Sequence, residues 1–337
     1  MRNYLLKRLL VLIPTLVGIT VVTFFIMQLA PGSPVERRLA ALYAGERQGA
    51  ISQEVIEQTK KLYGLDKPLP VQYWNWLKRI ARFDFGESFK DHRPVSEKIS
   101  EVLPITLTLN AISIVCVYLL SLPWGIYSAK IAGSKLDRGV TFFLFVLYSL
   151  PSFWVATMLI LLLGGGEFLD VFPTYGIQSY GAETWALPAR LWDWTRHLFL
   201  PVACLSYGGL AVLARYARVS MQEVINQDYI RTARAKGLPE VKITYKHAFR
   251  NALLPLITLL AGLLPELFGG SVIIETIFSI PGMGKLGFEA IRSLDYPLIM
   301  AITTISALLT LMGILIADVL YVVADPRISF EGKAGEG

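Results

Sequence analysis

A chain of 337 residues with 54% hydrophobic and 17% charged residues departs from the soluble globular pattern, in which about 25% of residues are charged. The mean hydropathy is +0.51 and the net charge +6. The basic residues gather at the ends of apolar runs, which argues against a nucleic-acid partner and for a lipid bilayer. Cys116 and Cys204 lie inside apolar runs, where they read as small core residues. His92, His197 and His247 are too scattered for a metal centre, and none is expected.

A bilayer needs about 20 apolar residues per helical span. Six runs qualify, at 9–30, 102–130, 138–163, 198–220, 252–275 and 297–323. The expected fold is therefore all-α and polytopic, with six transmembrane helices. The first run follows Arg2, Lys7 and Arg8 and is longer than the apolar core of a signal peptide, so it reads as a retained span. Prolines at 14, 104, 123, 151, 201, 255 and 265 predict kinks, tolerated where neighbouring helices satisfy the freed carbonyls.

Segment 31–101 is too charged to lie in lipid and is expected outside the membrane. Within it, 52–62 has helical spacing. The run from Gln72 to Phe83 is amphipathic, and either lies flat at the outer interface or packs on the bundle. The loop 164–197 carries Trp185, Trp192 and Trp194, which suit an interfacial belt. Residues 326–337 read as a disordered cytoplasmic tail after a core of 102–325. Lys130, Lys135 and Arg138 flank the loop after the second span, on the same side as the first basic cluster. That side is cytoplasmic by the positive-inside rule, and both termini lie there in an inner or plasma membrane.

The longest basic interruption of the second half also falls on that side. From Arg215 to Arg250 it holds eight Lys/Arg against three acids. It contains helix punctuation: Asp228 as an N-cap, helix formers to Lys236, Gly237 as a stop and Pro239 beyond it. A helix of about two turns is marginal alone in water, so it is expected to form against something. Tyr229 and Ala233 share a face at i, i+4. Small Ala233 and Ala235 permit close approach, and Tyr229 suits an anchor. The alternative is a basic connector that only obeys topology.

No nucleotide loop is present. Gly282-Met-Gly-Lys285 is followed by Leu286 and has Ser279 where the upstream glycine should be. No catalytic constellation is visible either, so an enzyme is not expected. Mid-membrane polar groups are few. Asn110, Glu266 beside Pro265, and Glu275 at the end of the fifth span are the pathway candidates. For Glu266 the structural reading, a carboxylate paired with a hydroxyl of a neighbouring helix, is favoured over the pathway one, and Asp318 reads as a boundary group. So sparse a set is thin for an ion-coupled carrier, which is the alternative; a partner is the better energy source.

The stretch Asp228-Tyr-Ile-Arg-Thr-Ala-Arg-Ala-Lys-Gly237 with His247-Ala-Phe-Arg-Asn-Ala-Leu-Leu-Pro255 resembles the EAA loop of permease subunits of bacterial ABC importers, oligopeptide/dipeptide branch. Arg231, Thr232, Ala233 and Gly237 stand at the positions of that motif, without its Glu. Arg8 to Pro14, Ala30 to Pro34, Gly64 to Tyr73, Asp84 to Ser88, Pro94-Val95 and Glu275 to Gly284 are similar to the same branch, in its B-type subunit. The resemblance implies a coupling loop at 221–250. In it, residues Asp228, Tyr229, Ile230, Arg231, Thr232, Ala233, Arg234, Ala235, Lys236 and Gly237 would meet an ATPase. His247, Arg250, Asn251 and Pro255 would fix the loop to the fifth span. It further implies a second permease, two cytoplasmic ATP-binding subunits that hold ATP and magnesium, and an extracytoplasmic solute-binding protein. No cofactor is expected on this chain.

Overall fold

The computed structural model describes residues 2–29, 66–164 and 168–324. The helix expected at 52–62, the turn after Ala30 and the tail 326–337 lie outside them. Among the described residues the secondary structure is helical, with one isolated bridge between Glu87 and Pro94. Among the described residues five helices are long and apolar enough to cross a membrane, or six when one bent pair counts as a span.

The helices are α1 (Arg2–Leu29), α2 (Leu69–Ile80), α3 (Val95–Lys130), α4 (Lys135–Ser149), α5 (Ser152–Leu163), α6 (Leu187–Ile225) and α7 (Asp228–Ala235). After a wide π-type turn at Ile243–Phe249 come α8 (Arg250–Leu260), α9 (Leu263–Gly269), α10 (Val272–Ile277), α11 (Met283–Ser293) and α12 (Tyr296–Ala324). Contacts divide the chain into two compact units, Met1–Pro104 with Met283–Leu311, and Ile105–Gly282 with Met312–Gly337.

In the first unit α2 packs on α1. The Thr20 and Tyr73 hydroxyls are 2.9 Å apart, and the buried Phe24 ring meets Tyr73 and Trp76 at 5.5 and 6.0 Å. This favours the packed reading of the amphipathic run, with Trp74 left outward. The turn at Asp84 to Ser88 has a physical logic. Asp84 accepts from Arg79 Nε and from the Gly86 N–H, both at 2.9 Å. Gly86 takes φ +79°, which a side chain resists. Ser88 then donates to Asp295, which also accepts from the Phe89 N–H at 2.9 Å. Asp295 is 1% exposed and acts as a buried latch. Lys98 completes the cluster, donating to Ser88 at 3.0 Å and to Asp91 at 2.8 Å. Burial pushes the Asp91 carboxyl up, but hydrogen bonds from Lys98 and the Arg93 N–H outweigh it and hold the pKa below its ordinary value. Asp84 is lowered too, chiefly by its bond from Arg79.

In the second unit the expected single span at 138–163 is instead two helices meeting at 101°. Proline disfavours helical backbone in the residue before it. Leu150, preceding Pro151, is extended at φ −81°, ψ 133°, and its carbonyl accepts from the Tyr207 hydroxyl at 2.7 Å. Pro14, Pro201 and Pro255 stay inside helices. The fourth span starts earlier than expected, since α6 runs 39 residues from Leu187. Trp192 and Trp194 therefore lie on a helix, with Trp194 Nε1 donating to Gln178 at 2.9 Å. The expected fifth span is broken at Gly262 and at Gly270, whose φ +62°, ψ −178° is open to glycine alone.

Apolar packing joins α3, α5, α6 and α10 through Leu109, Ala156, Leu200, Cys204 and Ile274, with Cys116 against the same cluster. Small residues let backbones touch. A Cβ at Gly125 would lie 2.8 Å from the Ala214 carbonyl oxygen and 2.5 Å from Ala217 Cβ, the close approach on which helix pairs in lipid depend.

Candidate functional site

The helix α7 is built by its ends. Its cap is Gln227, extended at φ −72°, ψ 151°, not Asp228 as the sequence suggests. Asp228 is the first helical residue, where its carboxylate faces the positive end of the dipole. The far end behaves as its sequence indicates. Gly237 takes φ +72°, its N–H donates to the Arg234 carbonyl at 2.9 Å, and the Leu238 N–H donates to Ala233 at 3.4 Å. This pair of bonds closes a helix before a left-handed glycine.

One face of α7 is buried. Ile230 is 0% exposed and Ala233 7%. They pack with Ile126, Ala129, Met221, Ile243, Ala248 and Ala252, and Leu238 closes the cluster. The seat is thus made of the ends of α3 and α6 and the start of α8. This corrects one expectation: Ala233 faces the chain's own core and is closed to a partner. The reason is the apolar pair Ile230 and Ala233 at i, i+3, which outcompetes the Tyr229 and Ala233 face. Tyr229, Arg231, Thr232, Arg234, Ala235 and Lys236 remain exposed.

Besides the packing of Ala248 and Ala252, the stretch 247–255 holds this helix by one side-chain hydrogen bond. Asn251 Nδ2 donates to the Tyr229 hydroxyl at 2.9 Å and to the His247 carbonyl at 3.0 Å. Arg250 and Pro255 are exposed, and His247 is half-buried. Arg234 pairs with Glu240 at 2.8 Å and Arg231 with Asp228 at 3.5 Å. Such exposed pairs are worth at most about 1 kcal/mol each. Beside the helix lies a groove of about 560 Å³, lined by Lys130, Gln222, Asn226, Arg234, Glu240 and Thr244.

A second ionic group braces this end of the unit, and the sequence reading did not single it out. Asp137 is 1% exposed. It receives two bonds from Arg218, at 3.0 and 2.7 Å, one from the Gly133 N–H at 3.0 Å and one from Ser128. It is also in the first turn of α4, whose cap Ser134 accepts from the Asp137 N–H at 3.1 Å. The available signal was the spacing Ser134-x-x-Asp137, a helix start placed between two basic residues.

The three pathway candidates separate. Asn110 is buried and donates to the carbonyls of Glu266 and Leu267 at 2.7 and 3.2 Å. The carbonyls at a helix end lack intrahelical partners, and α9 stops at Gly269, so Asn110 is structural here. We expect Asn110→Leu to lose about 1–3 kcal/mol by leaving those carbonyls unsatisfied, read as a lower midpoint of thermal unfolding in detergent. Glu275 is 0% exposed and accepts from the Ser271 N–H at 3.2 Å. Its carboxylate lies where a Cβ at Gly282 would be. Both residues thus have internal partners, because the breaks in the fifth span create backbone ends that need them. Glu266 alone stays exposed.

Residues 121–330 match the family described as binding-protein-dependent transport system inner membrane component, and 1–110 match the N-terminal part of such components. The oligopeptide transport system permease protein AppB of Bacillus subtilis (strain 168) is 43% identical over 331 residues, covering 98% of this chain and 100% of that protein. The dipeptide transport system permease protein DppB of the same strain is 36% identical, over 99% and 100%. The peptidoglycan transport system permease protein YejB of Agrobacterium fabrum is 34% identical, over 99% and 100%. Nothing in these matches supports an ion-coupled carrier. With its apolar helices and end-to-end similarity to such permeases, the chain belongs to the family of inner membrane components of binding-protein-dependent transport systems.

Proposed function

We propose that the chain is the permease subunit of an ATP-driven importer of peptides, forming half of the path through the inner membrane. The similarity to the oligopeptide permease AppB along almost the whole chain carries this reading. A member of this family works with an ATPase and a solute-binding protein. The finer assembly proposed is a second permease, two cytoplasmic ATP-binding subunits and one extracytoplasmic binding protein, with both termini of this chain cytoplasmic. ATP and magnesium belong to the ATPase subunits.

In this reading the exposed face of α7 is the coupling surface. Residues Tyr229, Arg231, Thr232, Ala235 and Lys236 meet the ATPase, while Ile230 and Ala233 transmit its motion into α3, α6 and α8. Asn251 keeps α7 in register with the start of α8. A short helix seated on the ends of two long helices and the start of α8 moves with them as a rigid body, which is what a lever requires.

The test is uptake in proteoliposomes by the chain assembled with its companions. A labelled pentapeptide should accumulate with internal ATP and with the binding protein present. It should not accumulate when either is omitted, and an ionophore should leave the rate unchanged. Uptake by this chain alone, collapsed by the ionophore, would establish the ion-coupled alternative instead.

A further inference from the structure

The outward face of the fifth span is unlike the outward faces of its neighbours. On α3 and α4 the exposed residues include Val115, Leu119, Leu120, Phe142, Phe143 and Phe145. Such side chains suit contact with acyl chains. On α8, α9 and the turn between them, the exposed positions among the described side chains from 251 to 269 are Asn251, Pro255, Thr258, Gly262, Glu266 and Gly269. They recur at steps of four, three, four, four and three, so they lie along one helical face. The apolar residues of the same helices, Ala252, Leu256, Ile257 and Phe268, are turned inward.

This part of the span therefore offers Asn251, Thr258 and Glu266 outward, with small residues or proline between them, before Ile273 resumes an apolar surface. A carboxylate against acyl chains in mid-span is strongly disfavoured, and charged groups within spans face a partner or a water-filled path. The two acids of the span differ in this respect. Glu275 is enclosed by the chain's own groups, whereas Glu266 projects from the polar face. Its backbone is held in place, since Asn110 fixes the Glu266 and Leu267 carbonyls. Thr258, two turns away, is hydrogen-bonded to Tyr321 of α12.

We propose that this face lines the solute path and that Glu266 is a specificity-determining residue, engaging the ammonium groups of cationic peptides as they cross the membrane. The inference rests on the import reading above and narrows its substrate class. A fixed carboxylate in a site shielded from bulk water attracts a cation more strongly than it would at an exposed surface. Anionic solutes are repelled by the same charge.

Two measurements on the assembled complex test it. The first uses no peptide. Position 262 accepts a side chain without a clash, since a Cβ there meets only the Leu259 carbonyl oxygen, at 3.7 Å. In Gly262→Cys, a cationic water-soluble thiol reagent should modify residue 262 about tenfold faster than an anionic reagent of equal size, as a local negative potential dictates. The ratio should fall to near one in Gly262→Cys/Glu266→Gln. The second compares uptake of a lysine-rich and a glutamate-rich pentapeptide. Glu266→Gln should slow the first about tenfold, on the scale of one lost charged contact, and leave the second unchanged or faster. Glu266→Asp should keep the preference.

Three results would overturn the proposal: absence of modification at 262 by either reagent, equal loss for both peptides, or loss of the co-purifying second permease in Glu266→Gln. The last would make the face a subunit interface. If the wild-type complex imports neither peptide while the reagent ratio depends on Glu266, the peptide reading fails and the cation subsite stands.

Discussion

Arg218→Met is expected to destabilise the protein by about 3–5 kcal/mol, the scale for removing one partner of a buried ion pair. Asp137, 1% exposed beside Arg218, keeps in the variant bonds only from Ser128 and the Gly133 N–H. Methionine replaces the stem of arginine but none of its donors. The loss should appear as a lower midpoint of thermal unfolding in detergent. It should also loosen the turn between α3 and α4, since Gly133 and Asp137 hold it closed. The double variant Asp137→Leu/Arg218→Met should recover most of the stability, because no orphaned charge remains. An Arg218→Met protein that unfolds at the wild-type midpoint would show that water already screens this pair.

Substitution on the two faces of α7 should give opposite phenotypes. Ala233→Arg places a guanidinium among Ile126, Met221 and Ile243, where an unpaired charge costs several kcal/mol or more. The helix should leave its seat, and proteolysis should cut near 228–237 in the isolated subunit. Ala235→Arg adds the same group to the exposed face, so thermal unfolding should stay close to wild type. ATP-driven uptake should nevertheless fall by about tenfold or more, the effect of crowding a packed interface centre. Normal uptake in a stably assembled Ala235→Arg complex would exclude this face as the coupling surface.

The contrast shows how much was legible beforehand. The stop at Gly237 is written in the chain, because a positive φ before a proline leaves few alternatives. The direction of α7 was not. Both the Tyr229 and Ala233 face and the Ile230 and Ala233 face satisfy helical spacing, and only the apolar bed formed by α3, α6 and α8 decides between them. Apolar run length predicted the spans well, yet it was blind to the bend at Leu150, where the rule for residues preceding proline prevailed over hydrophobicity. Asn110 and Glu275 have partners that the sequence does not display. Each is polar in an apolar setting, which suggests function. Asn110 bonds a backbone carbonyl 156 residues away, and Glu275 accepts from the Ser271 N–H at the break before its own helix. Glu266 escaped that fate because the polar positions of its helix turn outward.

The bond from Asn110 to the end of α9 bears on how the chain is made. Its two members are 156 residues apart. Backbone carbonyls left open in hydrocarbon are costly, so α8 to α10 are poor candidates for independent entry into the bilayer. The second span thus supplies the fifth with donors that its own sequence lacks. A fault at Asn110 would be felt as lost stability of the folded chain, before any question of transport arises.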